Sequence, residues 1–441
     1  MKRLLSLLLC VVLALFCAPT AQAAGVSITL TASEYALHYA FDAGAQDPFV
    51  ILEYTTPAEK GWMMLYSEDG HFEGDVSLAY SGAGGKTSVA LTSARTTGSI
   101  GKASTTLPKA ADYQKPTGKS NAKVTDFMLT ETPEGFHYAF NAAGTDYMLL
   151  YWRSKEQTVT QPVYPDKNGH YEGDVISDLT FARTQFTVQV KSGSGSMKKE
   201  ATVRKGYQAP EAPQRQEGRL SGVTVCIDAG HQENGRFVNE PIGPGLTGST
   251  SGKGGMAQGT KTNRRESIVC LEIGMLLRDE LLRQGANVVM TREDQTTFHT
   301  NIERCEIAEA GGAQIMLRLH CNNSSNRSKR GIQVYGPLNS DYAKAVADAD
   351  TYREMGQKLL DAMKTRVGMT LANSTGMVRL NDNYVGNNWA KMMCFLVEMG
   401  YLSNPAEEYL LVTPVYQQWL AEGMADGVYE IAVARGWVQA Q

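Results

Sequence analysis

The stretch 223–231 reads VTVCIDAGH, an apolar run that breaks at a glycine and ends on a histidine. Short apolar runs rich in β-branched residues and bounded by turn signals form buried strands. The texture returns in ANVVMTR (286–292), AQIMLRLHC (313–321), GIQVYG (331–336) and MMCFLVEMG (392–400). Helical patterns lie between and after them at 267–285, about 341–367 and about 405–435, the first closed by Gly285 as a left-handed cap. Strands alternating with helices predict an α/β domain over 219–441 with a mainly parallel sheet and flanking helices.

Sheets of this kind bind ligands beyond the carboxyl ends of their strands. His231, His320 and Glu398 each stand at such an end, and Glu266 opens the helix that follows a long glycine-rich loop. Two imidazoles and one carboxylate, with a fourth position left to water, make a catalytic zinc site, and the other carboxylate is then free to act as a base. Each residue also has a plainer reading. A lone histidine at a strand end is more often structural, and Glu266 equally suits the positive end of its helix. HExxH is absent, so thermolysin-like peptidases are not the model.

Neighbouring residues carry paired readings. Arg318 lies two before His320, so strand alternation points both to one face; it holds a substrate carboxylate or a developing oxyanion, or it partners a nearby acid. Asp228 is an acceptor that orients His231, or a turn residue. Asn322 and Asn404 read as turn residues that shape a substrate groove. The loop 232–265 is a lid or a solvated insertion.

The N-terminal half is different. Residues 1–23 combine Lys2 and Arg3, a short apolar core and Ala21-Gln22-Ala23, which predicts a secretory signal peptide and a soluble mature chain outside the cytoplasm. No later run is long enough to span a membrane. FHYAFNAAG (136–144) echoes LHYAFDAGA (37–45), and NGHYEGDVIS (168–177) echoes DGHFEGDVSL (69–78), both 99 residues apart. A fixed offset implies two copies of one module, over 24–115 and 116–205, each a β-sandwich-like (Ig-like) repeat. Their aromatics read as alternating core residues, with hairpin turns at Asp69-Gly70 and Asn168-Gly169; the competing reading is an exposed binding surface for a polymer or protein partner. The proline-rich 206–218 reads as a linker.

A formal net charge of -4 gives no drive toward nucleic acid. Five cysteines remain after the predicted cleavage, at 226, 270, 305, 321 and 394. The number is odd and most sit in apolar runs, which favours buried free thiols over a disulfide framework.

VCIDAGHQ, Glu266, TRED (291–294), Arg304, LRLHCN (317–322) and FLVEMGYLSN (395–404) together resemble the zinc-dependent N-acetylmuramoyl-L-alanine amidases of the type-3 family, over about 220–435. The resemblance implies one Zn2+ held by His231, Glu266 and His320, with Glu398 catalytic. It implies a secreted, cell-wall-associated hydrolase of peptidoglycan that cuts between N-acetylmuramic acid and the L-alanine of the stem peptide, and a wall polymer or protein as the partner of the repeats. The sequence departs from the family pattern at Cys321 and Tyr401 and in the length of the loop before Glu266, for which Glu233 and Glu240 are rival carboxylates. Two other functions stand beside this one. A cysteine peptidase would act through Cys321 or Cys394, although Cys321 and His320 face opposite sides of their strand. A non-catalytic wall-binding adaptor would act through the repeats alone.

Overall fold

The structure, a computed structural model, describes residues 25–440 except 97, 114, 116, 118, 120, 133–134, 154–156, 177–182, 193–194, 205–209, 233–237, 251–254, 263 and 369–377. The predicted signal peptide and Glu233 lie outside the described residues. One compact unit takes the chain through Thr92 with Ser99–Pro116 and Val159–Gln161. The other takes Ser93–Gly98, Thr117–Thr158 and everything from Pro162.

The first repeat contains β1 (Ile28–Ser33), β2 (Ala36–Asp42), β3 (Phe49–Thr55), β4 (Glu59–Tyr66), β5 (His71–Ser77), β6 (Gly85–Ser93) and β7 (Ser99–Leu107). β1-β2-β5 form a three-stranded sheet, and β4-β3-β6-β7 run side by side as part of a larger one. Alternate residues of both sheets, among them Tyr39, Phe41, Phe72, Leu52 and Leu91, share one core. The second repeat contains β8 (Thr125–Thr132), β9 (Gly135–Asn141), β10 (Met148–Arg153), β11 (Gln157–Val163), β12 (His170–Ile176), β13 (Arg183–Ser192) and β14 (Gly195–Arg204). Its orders are β12-β9-β8 and β14-β13-β10-β11. The copies match in detail: Phe41 stacks on Phe72 at 4.9 Å, and Phe140 on Tyr171 at 4.6 Å.

The expected hairpins at 69–70 and 168–169 are corrected. β4 pairs with β3 and β5 pairs with β2, so the first of these turns carries the chain from one sheet to the other. Gly70 and Gly169, at φ +83° and +78°, supply the left-handed residue such a turn needs. His71 and His170 lie outside the core; their Nδ1 atoms are 2.7 and 2.8 Å from Asp42 and Asn141.

The C-terminal region runs β15 (Thr224–Ala229), α1 (Glu266–Arg283), β16 (Asn287–Met290), α2 (Asn301–Ala310), β17 (Ile315–Asn322), β18 (Gln333–Gly336), α3 (Asp341–Val346), α4 (Ala349–Val367), β19 (Val378–Leu380), α5 (Val385–Trp389), β20 (Met393–Tyr401), α6 (Glu407–Leu410) and α7 (Pro414–Ala434). The sheet order is β16-β15-β17-β20-β18-β19. β18 and β20 are antiparallel, and the other four neighbouring pairs are parallel. α1 packs on one face, where Ile227, Ala229 and Leu319 stand at ordinary contact distance from the space beside Gly274. On the other face Cys226, Met316 and Cys394 pack with Cys305 and Ala308 of α2. All five described cysteines are buried and free.

Two expected helices are each split in two. Ser340 caps α3 and Asp348 starts a new helix, α4, by accepting from Thr351 N; Pro414 opens α7 separately from α6. The described part of the expected linker is tied down, because Arg278 donates to Pro210 O and Gln216 N to Leu282 O. No helix among the described residues is long and apolar enough to cross a membrane.

Candidate metal centre

Parallel pairing aligns three strand ends. Ala229 is level with Leu319, and His320 with Glu398, so β15, β17 and β20 deliver their terminal side chains to one edge. There the chain turns through Gly230, and His231 takes a left-handed backbone at φ +58°, a conformation that costs a histidine energy and marks functional turns. Gly230 is required for contact reasons. A Cβ there would stand 2.4 Å from Leu319 O and 2.6 Å from His320 Cε1.

Two buried arginines hold this turn. Arg292 donates to Ala229 O, Gly230 O and Ser267 O, tying the turn to the first residues of α1. Arg304 donates to Ala229 O and His231 O. Arg304 also pairs with Asp228, whose second oxygen accepts from Arg318 Nε at 2.9 Å and whose first accepts from Thr291 Oγ1 at 2.8 Å. Asp228 is therefore not the acceptor of the His231 ring, nor a turn residue. It lies in β15 as the counter-ion of two arginines, which outweigh the cost of burial and hold its carboxyl well below the usual range. Arg318 is the acid's partner; its other bond is to Asn301 Oδ1 at 2.6 Å. Asn322 closes β17 and donates to Gln333 Oε1 at 3.2 Å.

His231, Glu266 and His320 meet. One atom from each, all within 4.8 Å of one another, could share an ion. Glu266 Oε1 lies 3.1 Å from His231 Nε2 and 2.9 Å from His320 Nδ1, and the two rings stand edge to face at 4.9 Å. Glu266 is fixed from behind by Cys321 N on Oε1 and Ala257 N on Oε2, at 3.0 and 2.7 Å. Burial opposes its charge, yet the two imidazoles hold its carboxyl below the ordinary value. Burial likewise keeps the His320 ring below its usual pKa, favouring the neutral form that binds metals. The rival Glu240 is occupied elsewhere, accepting from Asn301 Nδ2 and Ile302 N at the start of α2.

These three residues line a cleft of 890 Å³ together with Glu398, Arg318 and Asn322. Among the described residues, Glu398 Oε2 is buried with no hydrogen-bond partner. Burial and the nearby charge of Glu266 push its carboxyl up to about 8. A buried carboxyl without a bond is costly, and a pKa near the working pH suits a group that takes and returns a proton. The thiols of Cys321 and Cys394 are pushed well above their ordinary value by burial, the opposite of an activated nucleophile. The cleft also includes Phe298, His299 and Tyr384, which nothing in their local sequence singled out.

Residues 225–430 match the family model described as N-acetylmuramoyl-L-alanine amidase. The chain is 26% identical over 231 residues to the germination-specific N-acetylmuramoyl-L-alanine amidase of Bacillus subtilis, an alignment covering 49% of this chain and 83% of that protein. It is 27% identical over 218 residues to the probable cell wall amidase LytH of Staphylococcus aureus, covering 48% and 60%. A solved N-acetylmuramoyl-L-alanine amidase from Clostridium difficile 630 aligns at 24% identity and a TM-score of 0.38, over 48% of this chain and 96% of that one.

Proposed function

We propose that this chain, whose residues 225–430 match the N-acetylmuramoyl-L-alanine amidase family model, hydrolyses the amide between N-acetylmuramic acid and the L-alanine of the peptidoglycan stem. The observation that carries the reading is the meeting of His231, Glu266 and His320 beside the unbonded carboxyl of Glu398.

Two imidazoles and a carboxylate, pre-oriented by buried partners, fit a catalytic zinc ion. Such an ion supplies Lewis acidity toward the scissile carbonyl and toward water. Glu398 is the general base. Its free Oε2 accepts the proton of the attacking water and gives it to the leaving alanine amine, and its raised pKa makes the second transfer easy at neutral pH. Arg292 and Arg304 keep the His231 turn rigid, so that substrate binding need not order it. Arg318 is committed to Asp228 and Asn301 and acts on substrate only from the floor of the cleft.

The rest of the chain fits the same role. The tandem repeats read as Ig-like sandwiches that hold the enzyme on a wall polymer or a protein partner, supported by two sheets around one aromatic core in the first copy. The catalytic domain reads as an α/β fold with a mainly parallel sheet, supported by the strand pairings. The N-terminal 23 residues read as an export signal that delivers the protein to the wall. The test is digestion of purified peptidoglycan: new N-terminal L-alanine is expected without new reducing sugar ends, and new reducing ends or stem-peptide cuts would refute the assignment.

A further inference from the structure

Two adjacent carboxylates outside the cleft reach the two elements that bring carboxylates into it. Glu407 and Glu408, in α6, are 2% and 0% exposed. Two buried acids side by side need strong compensation, because each unpaired charge removed from water costs several kcal/mol. Among the described residues, the hydrogen bonds to the two acids come from backbone N–H groups and from the hydroxyls of Thr260 and Thr262.

Glu408 grips residues 260–262. Its Oε1 accepts from Thr260 Oγ1 at 3.0 Å and Lys261 N at 3.1 Å; its Oε2 accepts from Lys261 N at 2.9 Å, Thr262 N at 3.2 Å and Thr262 Oγ1 at 3.3 Å. On either side of these residues the chain closes on itself. Gln258 bridges Arg265, Gly259 N donates to Arg264 O, and Glu266 N donates to Ala257 O. The arms end at the metal centre, where Ala257 N holds Glu266 Oε2 at 2.7 Å. Glu407 grips other backbone. Its Oε2 accepts from Tyr401 N, the last residue of β20, and its Oε1 from Gly331 N before β18, both at 2.8 Å. β20 carries Glu398 three residues earlier, and β18 pairs with it there, Gln333 opposite Glu398.

We propose that Glu407 and Glu408 are positioning residues with separate targets: Glu408 sets the place of Glu266 through the 257–266 arms, and Glu407 sets the place of Glu398 through the end of β20. The inference rests on the zinc-amidase reading given above and deepens it. Because Glu266 is read as a ligand and Glu398 is not, the two substitutions must separate in a way that general loosening of the fold would not produce.

The experiment uses the full chain as wild type, Glu408→Gln, Glu407→Gln and Thr262→Val, the last a nearly isosteric change that removes one donor to Glu408 without touching the acids. Zinc affinity is read by competition with a chromophoric chelator, turnover by wall digestion at saturating zinc, and folding by circular dichroism. Glu408→Gln is expected to weaken zinc binding at least tenfold, the usual scale for loss of an outer partner of a ligand, and Thr262→Val to weaken it in the same direction by less. Glu407→Gln is expected to hold zinc within about threefold while turnover falls about tenfold or more, since small displacements of a reacting group are costly. Zinc affinity unaltered in both Glu408→Gln and Thr262→Val overturns the inference. So does a parallel loss of zinc and turnover in Glu407→Gln and Glu408→Gln that tracks the unfolded fraction. A wild type that binds no zinc would instead remove the amidase reading beneath it, so the two failures are distinct.

Discussion

His320 and Glu398 stand directly opposite one another on the neighbouring parallel strands β17 and β20. Parallel neighbours in register present their side chains on the same face, so this pairing alone sets an imidazole beside a carboxyl at the sheet edge. Glu266, from the first turn of α1, then completes the trio with His231, and after burial its charge is the second cause that raises the Glu398 carboxyl.

Gly230→Ala tests how tightly the His231 turn is built. The added methyl would meet Leu319 O and the His320 ring, and both are fixed, the first in a strand and the second in the trio. Zinc affinity is expected to fall by a factor of ten or more, with a loss of fold stability of about 1–3 kcal/mol from crowding. Chelator competition beside chemical denaturation measures the two; unchanged zinc affinity would show that the ring moves aside freely.

Asp228→Ala should be among the most damaging substitutions in the catalytic region. It strands Arg304 and Arg318, both 4% exposed, and breaking a buried ion pair from one side costs about 3–5 kcal/mol. Because the Asp228 carboxyl is held below its ordinary value, its contribution is present above the unfolded carboxylate pKa and is lost only as pH falls through the lower folded one. Denaturant midpoints of wild type and variant are therefore expected to differ most at neutral pH and to converge in strong acid.

Glu407 gives the opposite sign. Burial raises its carboxyl from 4.5 to about 7, so the folded state binds a proton that the unfolded state has released, and stability falls as pH rises between those values. The shift corresponds to about 3 kcal/mol. The stability of wild type minus that of Glu407→Gln should decrease by that order from pH 4.5 to pH 8; a flat difference would show that Glu407 ionises normally.

The equivalence of the two repeats predicts a tolerant position. Phe72 and Tyr171 occupy matching places in the stacked pairs, and the Tyr171 hydroxyl makes a long 3.5 Å bond to Thr145 O. Tyr171→Phe should cost less than about 1.5 kcal/mol as a volume-conserving change, whereas Tyr171→Ala should cost about 3–5 kcal/mol. Thermal or denaturant unfolding of the two variants checks the pair.

The strand ends of the catalytic region were legible because apolar runs that stop at a polar residue mark both a buried strand and its edge; VTVCIDA, AQIMLRLHC and MMCFLVEMG gave His231, His320 and Glu398 in this way. The offset of 99 residues read in the sequence also relates the stacked pairs Phe41–Phe72 and Phe140–Tyr171. The short α2 lacks a long periodic run, although Thr300 and Glu303 form a capping box that spells S/T-x-x-E in the sequence. The breaks were also written in the sequence, at Ser340 and Asp348 as capping residues and at Pro414 as a proline opening its helix. What the sequence could not show was the buried polar framework. Asp228 reads as an acceptor or a turn residue, and the partners of Arg292, Arg304, Glu407 and Glu408, many of them backbone atoms tens of residues away, are brought to them only by the fold.

The most direct measurement is zinc content and wall digestion for wild type beside Glu398→Gln. One zinc per chain in both proteins, with release of N-terminal L-alanine by the wild type and none by the variant, is the expected result, since Glu398 is assigned to proton transfer and the ion to His231, Glu266 and His320. Loss of zinc from Glu398→Gln, or undiminished digestion by it, would contradict that assignment.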